Sequence, residues 1–187
     1  MLSRILITLT LLASCASQAF TGSEACESCH ATEFSNWQGS HHDLAMQLPT
    51  ASTVLGDFDD ASFSYNGITT RFSRRGDKFI VNTDGENGES QDFEVAYVFG
   101  VYPLQQYLLP LSRGRLQALS IAWDSRPEAE GGQRWYHLYP EEKIDYRDPL
   151  HWTGPYQNSN TRCAECHSTY VNKNYNPTDR VFATRFE

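Results

Sequence analysis

Apolar and polar positions follow three different rhythms along this chain. After Arg4, Ile5 to Ala13 is mostly apolar. That run is too short for a bilayer span of about 20 residues but has the length of a signal-peptide core. Glu24 to Trp37 reads as a short helix, opened by a capping box of Thr21 and Glu24 and stopped at Gly39. From Leu48 to Pro149 the pattern shortens to brief strand-like runs with turn residues between them. Ala61 to Tyr65, Asn66-Gly67 and Ile68 to Phe72 predict a tight hairpin. Lys78 to Thr83 is a further strand, closed by Asp84-Gly85 and Asn87-Gly88, and Gln91 to Phe99, Gln105 to Leu109, Arg115 to Trp123 and Gln133 to Tyr139 continue the series. Asp145 to Asp148 is a polar link, and Asn158 to Thr161 leads into a second helix. The fold class expected is α+β: two helical segments (20–48 and 148–187) flanking an antiparallel β-rich insert (49–147).

Composition narrows the function classes. The 187 residues, 40% of them apolar and 13% aromatic, suffice for a folded core. A net charge of −8 argues against general nucleic-acid binding, which needs a basic face. The same sign suits basic redox partners, although an acidic solvated surface is the commoner meaning. Two exits from the leader fit the residues. Ser17-Gln18-Ala19 satisfies the small-x-small rule and would end a signal peptide of residues 1–19, whereas Leu12-Ala13-Ser14-Cys15 resembles a lipobox that would make Cys15 a lipidated first residue. Both imply export: to the periplasm, or to the outer membrane or cell surface if Cys15 is lipidated. A lipid anchor is then the one expected membrane contact.

The remaining four cysteines form Cys26-Glu27-Ser28-Cys29-His30 and Cys163-Ala164-Glu165-Cys166-His167. Cys-x-x-Cys-His is the attachment signature of c-type haem. Two thiols one helical turn apart reach the two vinyl groups on one porphyrin edge, and the following His offers its imidazole to the iron as proximal ligand. A Cys₄ zinc site would need its two knuckles ~15–20 residues apart, far closer than Cys29 and Cys163. Disulfides leave the His after each pair unexplained. A thioredoxin-like motif wants a βαβ context that neither segment has. Two covalent haems with their iron are therefore expected, at Cys26, Cys29, His30 and at Cys163, Cys166, His167.

Distal ligands come from a short list. Beyond His30 and His167 the histidines are His41, His42, His137 and His151. His42 ranks first, then His151, His41 and His137. His151 closely precedes the second motif, whereas His137 alternates with apolar neighbours like a packed strand residue. Met46 is a thioether alternative that reads more readily as core. Tyr97, Phe99, Tyr102, Tyr107, Trp123, Trp135, Tyr136 and Tyr139 offer faces for a porphyrin, with ordinary packing the commoner role.

Gly22-Ser23-Glu24-Ala25-Cys26-x-x-Cys29-His30, followed by Trp37-x-x-Ser40-x-His42, resembles the start of the cytochrome c554-type multihaem family. The resemblance implies that the His of Trp-x-x-Ser-x-His is an axial ligand, which favours His42 over His41. Gly39 to Met46, Phe99 to Tyr107, Gly131 to Pro140 and Asp148 to Gly154 also resemble exported multihaem cytochromes that carry tetratricopeptide repeats further along. In those relatives another haem motif follows soon after the position of Glu187, so the chain resembles the N-terminal portion of a longer protein.

Electron transfer is the leading expectation: two closely placed haems exchanging electrons with redox partner proteins, other cytochromes or a membrane quinol-linked complex. A rival is a haem reductase or oxidase with one open iron position, over which Arg134 or Arg162 would bind an anion. A third reading is a structural or docking module of a larger cytochrome assembly.

Overall fold

The computed structural model describes residues 22–186; the leader, Cys15 and Thr21 lie outside them. The described residues open with a 3-10 turn, Ser23–Cys26, then helix α1 (Ala31–Trp37), a second 3-10 turn, Asp43–Ala45, and the two-residue strand β1 (Met46–Gln47). The expected hairpin follows as β2 (Ala61–Tyr65) and β3 (Ile68–Arg75). Asn66 and Gly67 both take positive φ, 48° and 81°, the geometry that lets a two-residue turn follow the strands' twist. Next come β4 (Lys78–Asp84), β5 (Ser90–Glu94), β6 (Tyr97–Phe99) and β7 (Leu104–Leu111). The series closes with β8 (Arg115–Ala118), β9 (Ile121–Asp124) and β10 (Arg134–His137), and two short helices, α2 (Ser159–Arg162) and α3 (Ala164–His167), carry the second cysteine motif.

The strands form two antiparallel sheets. One runs β2-β3-β4-β5; the other runs β1-β6-β7-β9-β10, with β8 also paired to β7. Two runs read as single strands are divided. Within Gln91 to Phe99 the chain changes sheets. Val95 N–H donates to Phe79 O on β4 at 2.9 Å, and the next amide, Ala96, donates to Leu108 O on β7 at 2.9 Å. Within Arg115 to Trp123 the register steps from Leu108↔Ala118 to Gln105↔Trp123. Four residues (119–122) there oppose two (106–107), and the strand breaks as it does at a β-bulge.

The sheets share one core. Phe72, Phe79, Val81 and Phe93 of the first meet Val98, Tyr107, Leu109, Ile121, Trp123 and Trp135 of the second. Phe72 stacks on Trp135 at 3.6 Å, and Phe58 sets its edge against both. Tyr107, Trp123 and Trp135 are thus absorbed by the sandwich. Side chains alternate along a strand, so Val98 and Tyr107 point inward while Tyr97, Phe99 and Leu108 face the other way. There Phe99, Leu108 and Ala118 build a smaller cluster with Met46, Tyr97 and Leu116. This outer face carries the cysteine segments.

The expectation of an α+β chain with two helical segments is overturned. The described residues are mostly β, ten strands in two antiparallel sheets, and the three helices span at most seven residues. The helix read over Glu24 to Trp37 breaks at His30, whose φ of −126° and ψ of 42° are not helical. Its remaining turns bury no residue, and short helices without a packed face are marginal in water. In the second segment α2 and α3 meet at Cys163 (φ −106°), and hydrogen bonds to the sheet take the place of an apolar helical stripe.

Candidate functional site

Both cysteine motifs close the same local turn. In the first, the amides of Cys29 and His30 donate to Cys26 O at 3.3 and 2.9 Å. In the second, the amides of Cys166 and His167 donate to Cys163 O at 3.1 and 3.0 Å. Each turn brings its cysteines one winding apart with the His directly after them. All four cysteines are free thiols.

Their surroundings differ. Cys26, Cys29 and His30 are exposed. Cys163 is half-buried, and burial pushes its thiol up, with the Arg162 guanidinium opposing the shift. The second motif is also fastened to the six-stranded sheet. Asn160 Oδ1 accepts from Leu116 N–H at 2.8 Å, and its amide group donates to Gly114 O and Thr184 Oγ1 at 3.2 and 2.8 Å. Asn158 caps α2 and donates to Gln117 Oε1 at 3.0 Å, while Gln117 donates to Trp152 O and Gly154 O. Sequence reasoning passed over these buried amides as a polar lead-in, and nothing in their spacing marks them as anchors.

A cleft of about 560 Å³ lies between the two segments. Ser23, Glu24, Phe34 and Trp37 line it from the first, His42 and Met46 from the approach to β1, and His167 to Thr169 from the second. Phe99 sets its ring edge-on to His167, with centroids 5.2 Å apart. The turn carrying His42 is held by short polar contacts. Gly39 N–H donates to Asp43 Oδ2 at 2.8 Å, and Asp43 N–H donates to Ser40 Oγ at 3.4 Å. Gly39 itself sits at φ 70°, a conformation that glycine adopts without strain. The spacing Trp-x-x-Ser-x-His therefore has a physical content here: an aromatic wall, a turn-fixing hydroxyl and an imidazole. His41 turns to the side, toward Tyr102 at 6.2 Å.

His137 and His151 lie together elsewhere. Both are buried, at 7% and 6% exposure, beside a cavity of about 30 Å³ that Asp84, Ser120 and Trp152 also line. His151 Nε2 is 3.2 Å from Asp84 Oδ2 and its Nδ1 is 2.8 Å from Thr153 Oγ1. His137 accepts from Tyr139 N–H at 3.0 Å and stacks on Tyr65 at 3.7 Å. Burial lowers its pKa, so the neutral ring is favoured. Arg134 and Arg162 lie over Tyr136 and Tyr156, and neither lines the 560 Å³ cleft.

These residues fit a covalently attached haem. Each motif offers two free thiols and an imidazole in one turn, and the cleft between them falls within the ~300–1,000 Å³ range of small-molecule and cofactor sites. A family model described as cytochrome c554 and c-prime matches residues 25–57, which hold the first motif, Trp37, His42 and β1. That is a c-type cytochrome family. The match implies covalently bound haem c with its iron, and an electron-transfer role of the c-type cytochrome kind. The second motif lies outside the cytochrome c554 match. Comparison with curated proteins and with solved structures returns no match.

Proposed function

We propose that the protein is an exported multihaem cytochrome that carries two covalent haems, one on Cys26, Cys29 and His30 and one on Cys163, Cys166 and His167, and relays electrons between redox partner proteins. The observation that carries this reading is that one cleft is lined both by residues flanking the first Cys-x-x-Cys-His turn, Ser23, Glu24, Phe34 and Trp37, and by His167 of the second, although most of the chain separates them in sequence. Bound haem supplies the one-electron change at iron. The chain's own contribution is to hold the attachment turns at a fixed spacing, to place Phe34, Trp37 and Phe99 about the site, and to supply imidazoles. Burial beside these rings disfavours charge, so the extent of covering sets how readily each centre is reduced. The acidic surface favours basic partners. Proximity of the two motifs supports a relay over an assembly module, and the cleft's freedom from Arg134 and Arg162 favours it over anion reduction.

The test is the intact mass and absorption spectrum of protein matured in a host with a c-type haem attachment system. Two haem adducts are expected, both lost stepwise in C26A/C29A and C163A/C166A variants. A mass without adducts overturns the proposal.

A further inference from the structure

Resting on the two-haem reading, we infer that Asp84 and His151 are positioning residues for the second haem: they root its attachment turn in the four-stranded sheet through a continuous, buried, hydrogen-bonded path. The path begins at Asp84, the last residue of β4. One carboxylate oxygen accepts from Thr83 Oγ1 at 3.3 Å, and the other meets His151 Nε2 at 3.2 Å. Its backbone O accepts from the Trp152 indole at 2.8 Å, so two consecutive residues of the later segment fasten to one residue of the first sheet. Gln117 on β8 donates to Trp152 O and Gly154 O at 3.1 and 2.8 Å, and accepts from Asn158 Nδ2 at 3.0 Å. Asn158 caps α2, and that helix closes with Cys163 N–H donating to Ser159 O at 3.2 Å. The attachment cysteine is thereby tied to both sheets. Asp84, Gln117, His151, Asn158 and Ser159 are all buried.

His151 is committed to this path at both ring nitrogens. Thr153 N–H donates to Nδ1 at 3.4 Å and Thr153 Oγ1 lies 2.8 Å from it, which leaves the ring proton on Nε2, facing the Asp84 carboxylate. An imidazole engaged at both nitrogens has no free lone pair to offer iron. A buried polar network with every member satisfied is rigid, and removing one member leaves its partner uncompensated in a low dielectric. Outer partners that orient a metal's ligands act on the metal without touching it, and Asp84 stands in that relation to Cys163 and His167. Helix α1 after the first motif buries no residue, so the effect is confined to the second haem.

The experiment uses the full chain, matured with haem in two single-haem backgrounds, C26A/C29A and C163A/C166A. Intact mass counts haems, spectra report spin state, and redox titration reports the midpoint potential. In C26A/C29A, whose one haem sits on the second motif, His151→Leu leaves Asp84 without its donor. It is expected to change the ratio of oxidised to reduced haem at fixed ambient potential by about tenfold, the lower end of what outer partners contribute at metal sites, with the spin state unchanged. Asp84→Asn keeps the backbone contact to Trp152 and is expected to shift the ratio by less. His151→Gln, whose amide still donates to Asp84, is expected to keep the original ratio. In C163A/C166A none of the three is expected to move the first haem. Equal shifts in the two backgrounds, no shift in C26A/C29A, or a His151→Gln shift as large as that of His151→Leu overturn the positioning role. So does a low-spin to high-spin conversion in His151→Leu that added imidazole reverses, which would make His151 an iron ligand. If His151→Leu does not fold, Asp84→Asn decides, and an unshifted second haem overturns the role. A C26A/C29A protein whose mass shows no haem overturns the two-haem reading itself, which unshifted potentials at the correct mass do not.

Discussion

The two cysteine motifs share a pentapeptide and a turn but not an environment. The first is a winding on the surface: its cysteines and His30 are exposed, and α1 after it buries nothing. The second is preceded by Trp152, Asn158, Ser159 and Asn160, all buried, and ends on a half-buried His167. The turn geometry is therefore local, needing only amides closing onto Cys26 O or Cys163 O, whereas the position of each motif relative to the fold is set by flanking residues. Asn160 satisfies Leu116 N–H and Gly114 O, which would otherwise lie unpaired where α2 covers β8. No equivalent side chain fastens the first motif among the described residues.

Three substitutions measure this contrast by chemical denaturation. Trp152→Ala removes a buried indole that donates to Asp84 O at 2.8 Å and sets its edge on Phe93. The expected loss is about 3–5 kcal/mol, as for other buried aromatic truncations. A loss below about 1 kcal/mol would mean that the second segment is not rooted in the core. Asn160→Ala leaves Leu116 N–H and Gly114 O without their partner, for an expected loss of about 1–3 kcal/mol. Ser35→Ala, on the exposed face of α1, is expected to change stability by no more than about 0.5 kcal/mol. If Ser35→Ala matched Asn160→Ala in cost, the contrast between a rooted and a surface motif would fail.

The same contrast explains what could be read in advance. The β2–β3 hairpin was legible residue by residue because Asn66-Gly67 dictates a turn and the flanking alternation dictates its partner. Both cysteine motifs were legible because their chemistry lies within five consecutive residues. The helices around them were overread. A helix needs a packed face as well as a cap, and the stretch from Glu24 to Trp37 presents no side chain to the core. The division of Gln91 to Phe99 was hidden for a different reason. Alternation marks a residue as strand-forming but does not say which sheet its amide joins, and Val95 and Ala96 join different ones. β1 was invisible, since two residues carry no period.

Local rules therefore fixed the attachment chemistry, the first hairpin and the short list of imidazoles, because each depends on neighbours in the chain. Tertiary structure decided how that list is distributed. It buried His137 and His151 together beside Asp84 and brought His42 to the cleft of His167. These are long-range placements, made by strand pairing and by the two faces of one sheet. The spacing of residues along the chain holds no record of which face a distant strand will cover.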